Sequence, residues 1–587
     1  YPVVFADIHE MGSDSTYYFP PESAPYNPHL AADQRASTEL FGKNHARWCD
    51  TYGLDYFTRE VFDAFYPGYG ESWPLLFGSV GILYEQASSR GLVVRQYDGN
   101  EMTYAFTVRN HFITSLSTAE VATRNRQKFL SEFYDYRVSA IEEGREDDVR
   151  SYIVPAQADQ AAADKLVGLL VRQGVEIGRA ESSFDACGEN YPAGSYVINT
   201  AQPAKRLIRT MMDTNIPMGE EFVAEQERKR AKNIESDIYD VTAWSMPLMM
   251  NVETTACSRT ITGSFTEAGP ELVQPGTVAA GTASVAYLVP WGSAPAVRLL
   301  VRAMQDGFKA KSSDKAFTHQ GKRYPAGTLI FDVLNNPDNL AEAITQLAKS
   351  TGADVVPVDN SWVTDGPNFG SGNVVRFNLP KVAIAWDEPT SSYSAGNTRF
   401  VIERQFDMPV TAIRTHHLVN ADLDRYQVLI LPQSGRRNDY SAVLGEKGAK
   451  NLKEWVERGG VLIGLGNANR YLADPGIDLL SIRREDAVNE HAKEQNGNEP
   501  TKGKDDAADK EKTVKGSYLA DAAAYKAAIT PEKTGPDSVG GVLVKASVDP
   551  DHWLGAGVAP SLNVLVRGPD IYTPATMDKA VNVAVFN

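Results

Sequence analysis

The sequence predicts an α/β protein of several domains, and three observations predict it. Apolar strand-like runs alternate with helical stretches over the first 150 residues, a set of short motifs occurs twice between 151 and 375, and apolar runs closed by glycines follow residue 380. A length of 587 residues suits about four domains. Hydrophobic content of 42% with 23% charged residues is ordinary for a globular chain. The formal net charge of −17 argues against nucleic acid or an anionic membrane surface as the main partner. No apolar run approaches the roughly 18 residues that span a bilayer. Three scattered cysteines, Cys49, Cys187 and Cys257, are too few for a disulfide framework, and none has the CxxC spacing of a zinc site.

The first unit, residues 1–118, opens on Tyr1-Pro-Val-Val-Phe-Ala-Asp-Ile-His9, an apolar strand that ends on a histidine. A Pro-rich loop (Tyr17 to Pro28), a helix from about Ala31 to Tyr52 and a second short helix near Asp55 come next. The Gly/aromatic loop Tyr66-Pro-Gly-Tyr-Gly-Glu-Ser-Trp73 leads into Gly78-Ser-Val-Gly-Ile-Leu-Tyr-Glu85, an apolar strand ending on a glutamate. A helix over about Tyr104 to Leu116 closes the unit. Residues 119–150 read as a helical connector, with Phe129, Phe133, Tyr136 and Ala140 on one face of a helix over about 122–148.

These two strands, one ending on His9 and the other on Glu85, resemble the second half of the catalytic domain of zinc carboxypeptidases, the funnelin family. The resemblance covers about a fifth of the chain and implies a partial carboxypeptidase-like α/β domain. It implies that His9 is a zinc ligand and Glu85 the general base, with the family's His-x-x-Glu ligand pair upstream of Tyr1. It implies too that a loop tyrosine, Tyr66 or Tyr69, closes over a peptide or peptide-like substrate, and that the protein is periplasmic or secreted. Both ends of the chain fall in strand-like runs and read as those of a piece of a longer protein.

The residue types suit that chemistry. A peptidase zinc takes three protein ligands and a water whose pKa it lowers to about 7, and a carboxylate takes the water's proton. Asp7 and His9, two apart on a strand, point to one face, where Asp7 can orient the imidazole. Glu85 at the end of an apolar run needs a polar cleft or a partner such as Arg90. The blander readings are a locally bonded His9, a salt-bridged Glu85 and tyrosines that merely pack the loop. Elsewhere, His491-Ala-Lys-Glu494 has the His-x-x-Glu spacing but lies in a charged stretch. His45 lacks the acid, and His416 and His417, adjacent on a strand, face opposite ways. The expected function is thus a zinc-dependent metallocarboxypeptidase-like hydrolase, incomplete in this chain. The alternative is a catalytically inactive peptidase-fold binding or scaffold protein.

Residues 151–375 read as tandem duplicated α/β units. Ser151-Tyr-Ile-Val-Pro155 recurs as Ala286-Tyr-Leu-Val-Pro290, Leu169-Leu-Val-Arg172 as Leu299-Leu-Val-Arg302, and Tyr191-Pro-Ala-Gly-Ser195 as Tyr324-Pro-Ala-Gly-Thr328. The Pro-Ala-Gly step signals a turn in which glycine takes a positive φ. Residues 376–587 carry the runs Lys381 to Trp386, Tyr426 to Pro432 and Gly459 to Gly466, and resemble a flavodoxin-like, class I glutamine amidotransferase-like domain. That chemistry needs a nucleophilic cysteine, and all three cysteines lie upstream, so a non-catalytic relative is implied. The stretch 483–515, rich in charge and nearly free of apolar residues, reads as a mobile acidic insertion.

Overall fold

A computed structural model describes residues 1–232, 234–281, 283–435, 439–485, 520–522 and 538–586. The charged stretch from 486 onward, with His491 and Glu494, therefore lies outside the described residues. The chain is mixed α/β and divides into two compact units, Tyr1–Gln274 with 540–545 and 562–566, and the remainder from Pro275. Among the described residues no helix is long and apolar enough to cross a membrane.

In the first unit β1 (Val4–Met11), β2 (Tyr17–Tyr18) and β3 (Val80–Ala87) form a sheet in the order β1-β3-β2. β3 is the buried centre; β1 stands at the edge with Ile8 half exposed, and no described strand pairs along its outer side. The helix α1 (Ala32–Tyr52) ends at Gly53, whose φ of +63° is the left-handed cap a glycine accepts without cost. The expected helix near Asp55 does not form. Phe57 and Phe62 pack their rings on Tyr18 at 5.4 and 4.7 Å, and this aromatic cluster holds the segment in irregular bridges to β2 and its following loop. A one-turn helix α2 (Ser72–Leu75) precedes β3, and the hairpin β4 (Val93–Arg95)–β5 (Glu101–Thr103) follows it.

The next two helices also shift from their expected bounds. α3 runs over Tyr104–Arg124 and α4 over Arg126–Glu146, broken at Asn125, where both backbone N–H and side-chain amide donate to the Val121 carbonyl. Phe129, Tyr136 and Ala140 are buried, as the periodicity predicts.

The first copy of the duplication follows as β6 (Ser151–Val154), α5 (Gln160–Arg172), β7 (Gly178–Ala180), β8 (Phe184–Ala186), β9 (Glu189–Tyr191), β10 (Tyr196–Asn199), α6 (Lys205–Met212), α7 (Glu220–Ala231), α8 (Met246–Met250), β11 (Thr255–Cys257) and β12 (Phe265–Glu267). The second copy, in the other unit, is β13 (Ala286–Val289), α9 (Ala294–Gln305), β14 (Lys311–Ser313), β15 (Phe317–His319), β16 (Lys322–Tyr324), β17 (Leu329–Asp332), α10 (Leu340–Thr351), β18 (Val356–Val358), β19 (Val363–Asp365) and β20 (Val374–Arg376). The sheet orders, β11-β6-β10-β7-β12 and β18-β13-β17-β14-β20, correspond strand for strand. Alternation along the strands divides each core alike. Tyr152 and Val154, or Tyr287 and Val289, meet the helices, while Ile153 or Leu288 faces the opposite side.

The repeated Pro-Ala-Gly turn is the same structure twice. Gly194 and Gly327 both have φ of +89°, and the next hydroxyl donates to the proline carbonyl at 2.8 Å (Ser195) and 2.7 Å (Thr328). The surroundings differ. A Cβ at Gly194 meets nothing, whereas one at Gly327 lands 2.3 Å from Trp291 Cδ1. Gly194→Ala is therefore expected to cost about 1–2 kcal/mol of backbone strain, and Gly327→Ala clearly more, by urea unfolding of the full chain.

The last module of the second unit has four parallel strands in the order β22 (Val410–Arg414), β21 (Val382–Trp386), β23 (Val428–Leu431), β24 (Val461–Gly464). The helices α11 (Ser392–Phe400), α12 (Ser441–Glu457) and α13 (Ala468–Leu472) lie between or after the strands. The pair His416–His417 sits on a 3₁₀ turn rather than a strand, so the rings lie side by side, centroids 4.1 Å apart, instead of facing opposite ways. Residues 538–586 carry three further strands, Val539–Val548, Ser561–Gly568 and Ala584–Phe586.

Candidate active site

Register places the site. β1 and β3 run parallel with His9 opposite Glu85 and Asp7 opposite Leu83, and on the other side of β3 Tyr18 faces Glu85. Directly paired residues share a face, so His9, Glu85 and Tyr18 form one row across three strands, with Asp7 beside it. The opposite face, carrying Ile82 and Tyr84, is buried in the core with Phe41 and Ile113.

His9 lies between two carboxylates: its Nε2 is 3.4 Å from Asp7 Oδ1 and its Nδ1 3.8 Å from Glu85 Oε1. The imidazole is 56% exposed while the Glu85 side chain is 9% exposed, so the ring opens the site to solvent and the carboxylate forms its floor. Glu85 Oε2 is buried without a hydrogen-bond partner. Burial pushes the Glu85 carboxyl up to about 7, His9 pulls it down, and Asp7 and Glu10 add to the rise. Glu85 meets His9 rather than Arg90. The loop before β3 joins the site through Gly70, where a Cβ would fall 1.9 Å from Asp7 Oδ2, so a larger residue there would push that carboxylate aside.

The two loop tyrosines turn elsewhere. Tyr69 Oη donates to Asp240 Oδ2 at 2.9 Å, its ring meets Tyr66 edge-on at 5.3 Å, and Tyr66 packs on Trp244 at 5.8 Å. The structure thus brings Asp7, His9 and Glu85 together and engages Tyr66 and Tyr69 with residues 240–244.

Sequence reasoning missed a second acidic cluster on the same face. Glu22, Asp63 and Glu71 line a small cavity with Tyr18, Leu75 and Leu83. Burial raises all three carboxyls, that of Glu71 to about 7, with Asp7, Asp63 and Glu85 adding repulsion there. Glu22 follows β2, while Asp63 and Glu71 share the irregular segment between α1 and α2; no motif joins the three, so spacing carried no signal for them.

The zinc expectation meets a partial donor set. Two corners of a tetrahedral zinc with bonds near 2 Å lie about 3.3 Å apart, close to the 3.4 Å from His9 to Asp7. The unpartnered Glu85 oxygen is also suited to a ligand. Among the described residues, though, no group of three or more His, Cys, Asp or Glu is placed to hold a metal ion. Buried His45 bonds Ser117 Oγ at 2.8 Å and Tyr84 Oη at 3.1 Å, and burial holds it down near a pKa of about 3.

Cysteine chemistry is absent from the C-terminal module. Cys187 and Cys257 form a disulfide, which the scattered spacing concealed, and Cys49 is buried with its thiol pushed up to about 12. Parallel sheets of this kind bind ligands where the strand order reverses. Between β21 and β23 that position is bridged by Thr390 and Ser434, with Ser391 N–H donating to the Gln433 carbonyl at 2.8 Å.

No family model matches the chain, and neither a curated protein nor a solved structure matches it.

Proposed function

We propose that the first unit is part of a zinc-dependent, carboxypeptidase-like hydrolase of peptide or peptide-like amide bonds. The observation that carries the reading is the pairing of His9 with Glu85 across β1 and β3, at 3.8 Å, on a solvent-reaching face. His9 would hold the metal, which supplies a bound water of lowered pKa and polarises the scissile carbonyl. Asp7 orients the imidazole. Glu85, with a carboxyl near 7, is matched to accepting and returning a proton at neutral pH. The Cys187–Cys257 disulfide fits an oxidising compartment, and so supports a periplasmic or secreted location. Residues 376–587 resemble amidotransferase-like domains but hold no cysteine, which supports a non-catalytic role for that module.

The chain supplies one histidine ligand, so alone it is expected to bind zinc weakly and to hydrolyse no peptide. Isothermal titration giving micromolar or tighter binding would contradict this. Joined to an upstream segment carrying His-x-x-Glu, the protein should gain hydrolysis, and His9→Ala and Glu85→Gln should each abolish it. Full activity in either variant would overturn these assignments, and no hydrolysis by the joined protein would leave the scaffold alternative standing.

A further inference from the structure

We propose that the outer face of α3 is a dimer interface, covered by α3 of a second copy of this chain. The helix is amphipathic in reverse. Its buried residues include Thr107, Asn110, Thr114 and Ser117, and three of these find partners within the fold. Asn110 Nδ2 donates to Gln86 Oε1 at 2.8 Å, Thr114 Oγ1 shares a hydrogen bond with Tyr17 Oη at 2.7 Å, and Ser117 Oγ shares one with His45 Nδ1 at 2.8 Å. Tyr104, Val108, Phe112 and Leu116, by contrast, are between 43% and 61% exposed. A surface helix ordinarily turns its apolar stripe to the core and its polar residues to water. Over residues 104–119 the one Lys, Arg, Asp or Glu is Arg109, and its guanidinium is drawn toward α1, over the Tyr52 ring at 5.7 Å.

Size and spacing identify the occupant. Leu92 and Val93 of the hairpin beside α3 are exposed as well, and the Tyr104 N–H donates to the Leu92 carbonyl at 2.8 Å. With about 150–250 Å² for an aromatic side chain, these six residues expose roughly 600 Å² of apolar surface, the size at which a patch marks an interaction site. Twice that area, about 1,200 Å², is where specific, stable interfaces begin, so two copies of this face suffice to cover each other. The four α3 residues recur at every fourth position over about 18 Å. They form one ridge, and two such ridges interdigitate at a crossing angle of about −50°. An antiparallel pair crossing at mid-ridge sets Val108 of each copy on Phe112 of the other, the reciprocal contact of a two-fold interface. A membrane surface fits this face less well: the chain carries a net charge of −17, and α3, unlike an interfacial helix, contains no lysine.

The test is sedimentation velocity on the full chain. The wild type should be a dimer that half-dissociates at or below about 10 µM, as suits an interface at the small end of the stable range. Phe112→Asp should weaken pairing at least a hundredfold and leave the circular dichroism spectrum unchanged, and Val108→Lys should likewise give a monomer. Leu334→Asp, at a site that is 94% exposed in the other unit, should leave the dimer intact. An equimolar mixture of the Phe112→Asp and Val108→Lys chains should dimerise again, because one crossing contact becomes an ion pair and the other stays native. Association along the edge of β1 would show no such rescue. A wild type that is monomeric at about 100 µM, a dimer that survives in a folded Phe112→Asp chain, a mixture that stays monomeric, or a monomer carried down with phosphatidylcholine vesicles would each overturn the proposal.

Discussion

Glu71→Gln is expected to stabilise the protein at pH 8 by on the order of 3 kcal/mol and to leave it nearly unchanged at pH 4.5. The carboxyl rises from 4.5 to about 7 because burial and its acidic neighbours Asp7, Asp63 and Glu85 disfavour the charge; each unit is worth about 1.4 kcal/mol. The sign follows from proton counting. Between pH 4.5 and 7 the folded chain holds a proton that the unfolded chain has released, so stability falls as pH rises through this window and is flat above it. The glutamine stays neutral throughout and removes that slope. Glu85, raised to about 7 by its own burial, adds a loss of the same sign, so the wild-type chain should be visibly less stable at pH 8 than at pH 5. Urea unfolding at the two pH values checks both statements; a variant with the wild-type slope would contradict the burial of this carboxylate.

Removing the disulfide is expected to cost about 2–4 kcal/mol. Cys187 and Cys257 close a loop across 70 residues and tie the β8–β9 turn to the edge strand β11. The second copy has a weaker fastening at the same place. There Gln320 occupies the turn position of Cys187, with nearly the same φ (+48° against +51°), and its side-chain amide donates to Asp359 Oδ1 at 3.0 Å, beside the end of β18. Cys187→Ala with Cys257→Val, or dithiothreitol on the wild type, should lower the unfolding midpoint. Gln320→Ala should cost only about 0.5–1.5 kcal/mol, the worth of an ordinary hydrogen bond.

The duplication was legible because short motifs recur in the same order on strand, helix and turn, and at the Pro-Ala-Gly turn the backbone conformation dictates residue type. The row from His9 to Glu85 was legible because a strand fixes where alternate side chains point, although the strands do not end there as expected but run on to Met11 and Ala87. What was hidden depended on contacts between distant segments. The cluster of Glu22, Asp63 and Glu71 is assembled from two loops, on either side of α1. The disulfide joins cysteines that only the strand pairing of β6 with β11 brings near a neighbouring turn. The helix expected near Asp55 failed because the rings of Phe57 and Phe62 gain more by packing on Tyr18 than that short segment gains from helical hydrogen bonds.

The outer side of β1 has a bearing on handling the protein. Among the described residues no strand pairs along that side, beside a half-exposed isoleucine, and such an edge is adhesive toward any extended polypeptide it meets. Concentrated samples of this chain should therefore self-associate through that margin, and a short peptide that caps the edge should keep them dispersed.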